Sequence, residues 1–323
     1  MNILITGGCG FLGSRLAQAL LDHGLPQAGG ARIPIEKLIL ADRAASDTFT
    51  DPRIEQRIGD VSDPTFVRSI VADAQIIYHL AAVVSGEAEA DFDLGMRVNV
   101  DASRHLLEAC RATRKRPRLI FTSSVAVFGP AREEEPVVDP RSSYGMEKAV
   151  AELMLKDYSR RGFVDGVVLR LPTISVRPGK PNKAASSFAS GIIREPLSGN
   201  ASECPVALDA ALWLLSPRRA ISALVHAAGL PADQLSVQPI VNLPGISVTV
   251  QEMLAALERS GGAAARALVT LSPDPAVAQI ISNWPRRWDD SRARAMGFEG
   301  DDDFDAIVRA YREDDLTRTR TAA

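Results

Sequence analysis

The chain is poor in the side chains that build metal centres and disulfide scaffolds. Its 323 residues include three cysteines (Cys9, Cys110, Cys204) and four histidines (His23, His79, His105, His226). The cysteines form no CxxC pair and no short spacing, so neither a disulfide framework nor a zinc site is expected. Their odd number fits a reducing compartment such as the cytoplasm. The histidines show no ligand spacing of the HExxH kind and read as structural. Long apolar runs are missing as well: none approaches the roughly 20 residues of a membrane span. Met1–Thr6 reads directly into a strand rather than a leader segment. Nor is there a basic excess, since 37 Lys and Arg face 40 Asp and Glu for a formal net charge of −3. Nucleic-acid backbones need that excess, so such a partner is not expected. An apolar fraction of 46% at so small a net charge excludes a disordered chain.

What is present is enough chain for one large domain or two that share a core. Short apolar runs (Asn2–Thr6, Lys37–Ala41, Gln75–His79, Arg118–Thr122, Val167–Arg170) alternate with helix-like stretches near Phe11–Asp22, Pro64–Ala72, Phe92–Ala112 and Tyr144–Arg161, and Ile54–Ile58 is a candidate third strand. That alternation predicts an α/β fold with a doubly wound parallel sheet, because parallel strands require crossover helices. After Arg170 the texture changes, with Pro172, Pro178, Pro181, Pro196 and Pro205 in loops and short helices. Ser216–Gly229 and Gln238–Leu243 then read as a helix and a strand returning to the sheet, and the chain from Thr249 as mainly helical. The expected division is a dinucleotide-binding domain over 1–171, rejoined by 205–245. A smaller, mostly helical substrate region would comprise 172–204 and 246–316, with a flexible tail over 317–323.

Between the first strand and its helix stands Gly7-Gly8-Cys9-Gly10-Phe11-Leu12-Gly13. Gly7 permits a tight turn, Gly10 lets backbone approach a pyrophosphate, and Gly13 allows close helix packing. Phe11 and Leu12 open the helix, whose free N–H groups favour an anion. This is the Rossmann-type arrangement, and the expected cofactor is NAD. At the end of the second strand Asp42 is placed to bond ribose hydroxyls and to repel a 2′-phosphate, although Arg43 beside it keeps NADP open. Asp42 lies farther from the glycines than usual, which a loop insertion over Pro26–Glu36 explains. Asp60 and Val61 follow the third strand and are candidates for the adenine end; a plain strand-end turn is the alternative.

Tyr144-Gly145-Met146-Glu147-Lys148 is a YxxxK on a helix, which sets phenol and ammonium on one face. A phenol of pKa about 10 needs a stabilised anion to act as a base near neutrality, and a nearby cation provides that. Ser124 ends the strand before this helix, at the carboxyl edge where open α/β sheets bind ligands.

Taken in order, TGGCGFLG (Thr6–Gly13), HLAA (His79–Ala82), Asn99, SSVAVFG (Ser123–Gly129), YxxxK and RLPT (Arg170–Thr173) resemble the extended short-chain dehydrogenase/reductases, a group of nucleotide-sugar epimerases and related oxidoreductases. The resemblance implies Tyr144 as acid/base and Ser124 as the residue holding the reacting oxygen. It implies Lys148 as the group that lowers the phenol's pKa and binds nicotinamide ribose, with Asn99 behind it in a water relay. Leu80, Ala81, Ala82, Pro172 and Thr173 would complete the NAD site.

The stretches Ala81–Glu89, Tyr158–Phe163 and Arg170–Asn182 resemble a subgroup that oxidises a four-carbon sugar acid at C2. A carboxylate calls for a guanidinium or ammonium; Arg177, Lys180 and Arg218 are the candidates, and Ser85 is a further substrate residue. Rival expectations are a nucleotide-sugar epimerase or dehydratase that recycles tightly held NAD, and a non-catalytic NAD(P)-sensing regulator. By resemblance the protein is a homodimer paired through the helices bearing Asn99 and Tyr144, while Leu106, Leu107 and Cys110 are read as core.

Overall fold

The computed structural model describes residues 1–26, 31–129, 137–181, 183–235 and 237–316. Asn182 and the expected tail 317–323 lie outside these. Seven parallel strands form the central sheet: β1 (Asn2–Thr6), β2 (Lys37–Asp42), β3 (Ile54–Ile58), β4 (Ile76–His79), β5 (Arg118–Ser124), β6 (Asp165–Leu171) and β7 (Ile240–Asn242). Their spatial order is β3-β2-β1-β4-β5-β6-β7. The order reverses between β1 and β4, where their carboxyl ends leave the crevice that open α/β sheets use for ligands.

Apart from the edge strand β3, whose sequence is Ile-Glu-Gln-Arg-Ile, the strands are mainly apolar because both faces are covered, and side-chain alternation sorts them. Ile3, Ile5, Leu38, Leu40, Ile76, Tyr78, Ile120, Val167 and Leu169 face one core. Leu4, Ile39, Ile77, Leu119, Phe121 and Val168 face the other. The first core is capped by helices α1 (Phe11–His23) and, from far along the chain, Pro217–Gly229. The second is capped by Pro64–Val71, Ala102–Thr113 and Ser143–Arg160. In chain order these become α2 (Pro64–Val71), α3 (Ala102–Thr113), α4 (Ser143–Arg160) and α5 (Pro217–Gly229). Leu106, Leu107 and Cys110 on α3 are buried in the second core.

Two local expectations are corrected. The segment Phe92–Ala112 is not one helix: Phe92–Gly95 is followed by a π turn over Met96–Asp101 before α3 begins. A π turn holds one extra residue, which no apolar period announces. The returning segment is split, since α5 and β7 join the first unit but Ala211–Leu215 pairs with Ile246–Thr249 and Thr173–Ile174 in a separate sheet. The region after Thr249 is mainly helical, with one short strand, Val269–Leu271, paired with Ser202–Cys204. Within the Pro26–Glu36 insertion, Arg32–Ile33 pairs back on Leu25–Pro26. This C-terminal region has its own core of Ile192, Ile193, Leu254, Leu257 and Ile307. Among the described residues no helix is long and apolar enough to cross a membrane, and no group of three His, Cys, Asp or Glu is placed to hold a metal.

Candidate active site

One cleft of about 540 Å³ runs along the carboxyl edge of the sheet, from Asp42 and Asp60 at one end to Arg177 and Arg194 at the other. The Gly-rich turn forms its floor. Gly7 has a φ of +68°, and a Cβ there would stand 2.9 Å from Ala81 N. A Cβ on Gly13 would stand 2.2 Å from the Gly7 carbonyl oxygen, so only glycine lets α1 sit this close to the turn. Over Gly10 a Cβ would meet only that same oxygen, at 3.2 Å, which leaves the N-terminus of α1 open to the cleft. Asp42 is fixed at the end of β2 by accepting the Cys9 N–H (3.0 Å) and the Arg43 N–H (2.7 Å). An open helix N-terminus over a glycine cradle, with an oriented carboxylate beside it, fits the pyrophosphate and ribose of a dinucleotide.

The catalytic helix is placed by its own first turn. Ser142 caps α4 by accepting the Gly145 N–H. A Cβ on Gly145 would lie 2.1 Å from the Ala126 carbonyl oxygen, so glycine is what lets α4 touch the turn Val125–Val127 that follows Ser124. Tyr144 is thereby brought beside Ser124, close enough for the serine hydroxyl to favour the ionised phenol. Lys148, one helical turn on, is buried; its Nζ donates to the Thr122 carbonyl oxygen at 3.0 Å and lies 4.7 Å from the Phe121 ring centroid and 5.7 Å from that of Tyr144.

The electrostatics differ from the simple expectation. Burial pushes the Tyr144 phenol up to about 12, and Glu147 pushes the same way. The groups that pull it down are the Ser124 hydroxyl and the charge of Arg177. Burial also takes Lys148 down to about 8, opposed by Glu147 and Glu152. Glu147 has no exposed surface. One of its oxygens accepts from Asn99 Nδ2 at 2.6 Å, the other has no partner, and burial raises its pKa. Glu152 is equally deep and forms a two-pronged ion pair with Arg170 (2.9 and 2.6 Å), whose guanidinium also reaches Asn242 on β7.

The cleft is lined by Gly7, Gly10, Phe11, Leu12, Gly13, Asp42, Asp60, Val61, Leu80, Ala81, Ala82, Ser85, Ser124, Tyr144, Lys148, Pro172, Thr173, Arg177 and Lys180 together. Two candidates are elsewhere. Asn99, in the π turn, is buried and off the cleft; its amide is engaged by both backbone groups of Val83 and by Glu147. Arg218, exposed on the first turn of α5, is saturated by Glu313 (2.8 Å) and Asp314 (2.7 Å). Arg177 is the opposite case. Its backbone is fixed, the N–H donating to Ser190 and the carbonyl accepting from Arg194, while its buried Nη2 has no partner.

Sequence reasoning did not single out Glu147, Glu152, Arg194, Ser186, Ser187 or Trp284, the last four of which line the cleft. Charged residues on a helix ordinarily face water, and only the i+3 spacing of Glu147 from Tyr144 hinted at its position.

Residues 3–213 match the NAD dependent epimerase/dehydratase family. The chain is 54% identical to a D-erythronate dehydrogenase of Cupriavidus necator over 97% of this chain and 98% of that one. It is 42% identical to a D-erythronate dehydrogenase of Haemophilus influenzae over 98% and 100%. A solved structure described as the nucleoside-diphosphate-sugar epimerase from Agrobacterium tumefaciens superposes with a TM-score of 0.90 at 40% identity, covering 98% of this chain and 95% of that one.

Proposed function

The chain belongs to the NAD dependent epimerase/dehydratase family and is an NAD-dependent oxidoreductase, and from that premise we propose that it oxidises D-erythronate at C2 to 2-dehydro-D-erythronate. The observation that carries this reading is Arg177, a fixed, cleft-lining guanidinium with an unpaired buried N–H, in the same cleft as Ser124 and Tyr144. A small acid supplies what that N–H lacks, because planar guanidinium and carboxylate pair in two parallel hydrogen bonds. The full-length likeness to two D-erythronate dehydrogenases supports the same substrate.

In this reading Arg177 holds the C1 carboxylate and Lys180 adds positive charge at the cleft mouth. Ser124 bonds the C2 hydroxyl and Tyr144, as phenolate, takes its proton. NAD held in the cleft would supply the acceptor for the hydride that C2 gives up as it becomes a ketone. Asp42 orients the adenosine ribose, Asp60 and Val61 border adenine, and the glycines with Phe11 and Leu12 hold the pyrophosphate. Lys148, Leu80–Ala82, Pro172 and Thr173 border the nicotinamide half. Asn99 and Glu147 hold the Val83 wall to α4.

The test is NADH formation, followed by absorbance, across a panel of sugar acids and nucleotide sugars. Stoichiometric NADH from free D-erythronate is expected. Turnover of a nucleotide sugar with no net NADH would replace this reading with the epimerase one, and cofactor binding without any turnover would replace it with a sensor. We propose a homodimer formed through α3 and α4 in the cytoplasm, with Leu153, 67% exposed on α4, in the contact; sedimentation of the Leu153→Glu variant as a monomer is the expected outcome.

A further inference from the structure

Trp284 is the only cleft-lining residue, among those described, that the chain contributes beyond Arg194. It is held from two directions. It follows the helix Pro275–Ser282, which packs on the cleft-lining turn Ala185–Ser187, and its own N–H donates to the Ile281 carbonyl at 3.1 Å. Its side chain packs both on the C-terminal core and on the cluster of Val125, Phe128, Trp213 and Trp288. Val125 directly follows Ser124. The indole therefore bridges the catalytic strand end and the C-terminal core, and it lines the same cleft as Arg177.

The wall formed by Ser85 and the Ala185–Ser187 turn has little give. Ser85 accepts the Ala185 N–H at 3.2 Å, and a Cβ on Gly86 would stand 2.1 Å from the Lys183 carbonyl oxygen, so these two segments touch backbone to backbone. Ser85, Ser186 and Ser187 give this wall short hydroxyl-bearing side chains suited to a polyol. A sugar acid fixed at C1 by Arg177 and at C2 by Ser124 and Tyr144 has only its remaining carbons left to place. They end between a backbone-backed serine wall and a ring wedged between two packed clusters.

We propose that Trp284, packed against the Val125 cluster at the end of the helix that rests on the Ala185–Ser187 turn, is the stop that limits the substrate to a four-carbon sugar acid. This rests on the sugar-acid reading above. A rigid aromatic wall discriminates by exclusion. Removing it relieves a clash for longer chains and costs the short one only contact area, and a one-carbon difference in such a pocket is worth about 10- to 200-fold.

The experiment compares kcat/KM for D-erythronate with that for five- and six-carbon aldonates of the same C2 and C3 configuration, in the wild type, Trp284→Ala and Trp284→Phe. Expected is a rise of at least about tenfold in the long-to-short ratio for the alanine variant, with phenylalanine between it and wild type and KM for NAD unchanged. If Trp284→Ala does not fold, Trp284→Phe and Trp284→Leu carry the comparison. A folded variant with an unchanged ratio overturns the stop while leaving the sugar-acid reading intact. A wild type inert toward every aldonate overturns both.

Discussion

Replacing Arg177 with leucine should separate function from stability. In the free protein its Nη2 is buried without a partner, and burial together with the neighbouring Arg194 lowers its pKa, so the charged form is disfavoured where it sits. An unsatisfied buried donor costs about 1–3 kcal/mol, and removing it returns that amount less the side-chain packing lost. The melting temperature of Arg177→Leu is accordingly expected to hold or rise. With substrate bound the sign reverses. Truncating one partner of a buried charge pair costs about 2–5 kcal/mol, or about 30- to 5,000-fold in kcat/KM for D-erythronate, carried chiefly by KM. The four-carbon polyol lacking the carboxylate should lose far less.

A second readout follows from Tyr144, whose pKa the Arg177 charge lowers. Without that charge the phenol ionises at higher pH, and the rising limb of kcat/KM, which reports the free enzyme, moves alkaline. The assay is NADH absorbance across substrate concentration and pH, with a thermal melt of the same preparations. A variant that melts several degrees lower with KM unchanged would show Arg177 to be structural and refute the argument.

Tyr144→Phe keeps the ring and removes the base, so kcat should fall at least about 10²-fold while NAD affinity, read by fluorescence titration, persists. Glu147→Gln removes a negative charge that raises both Tyr144 and Lys148; both then ionise at lower pH, and the whole pH profile of kcat/KM should move acid, whereas an unmoved profile contradicts the placement of that carboxylate. Glu152→Gln leaves the Arg170 guanidinium buried against an amide, and breaking a buried pair from one side costs about 3–5 kcal/mol, measurable as a lower urea midpoint. Asp42→Ala removes the carboxylate set to repel a 2′-phosphate while Arg43 remains, so the NADP-to-NAD ratio of kcat/KM should rise, and a constant ratio would place the discrimination elsewhere.

The central sheet was legible because strands buried on both faces must be apolar throughout, and the glycine spacing because backbone contacts at 2.2 and 2.9 Å leave no room for a side chain at Gly13 and Gly7. Tyr144, Lys148 and Ser124 were legible from one helical spacing and one strand end. Asn99 was found but its partners were not: the π turn redirects it to Val83 and Glu147, and an extra residue in a turn leaves no trace in an apolar pattern. Arg218 was misplaced because its acidic partners lie some 95 residues away in sequence, a separation no local window spans. Trp284 was missed for the same reason.

The late arrival of α5 and β7 also bears on how the chain is made. Domains ordinarily fold from the N-terminus as synthesis proceeds, but here the first 171 residues leave the ribosome with half a covering. Ile3, Ile5, Leu38, Leu40, Val167 and Leu169 share a core completed by Ala220, Ala223, Leu224 and Ala227 of α5, and β6 keeps an unpaired edge until Ile240–Asn242 is made. A nascent chain paused at 171 thus presents a half-covered apolar sheet face and an open strand edge, the two surfaces that chaperones bind and that aggregation exploits. A gene truncated there is expected to yield insoluble protein even though every nicotinamide- and proton-handling side chain up to Leu171 is present.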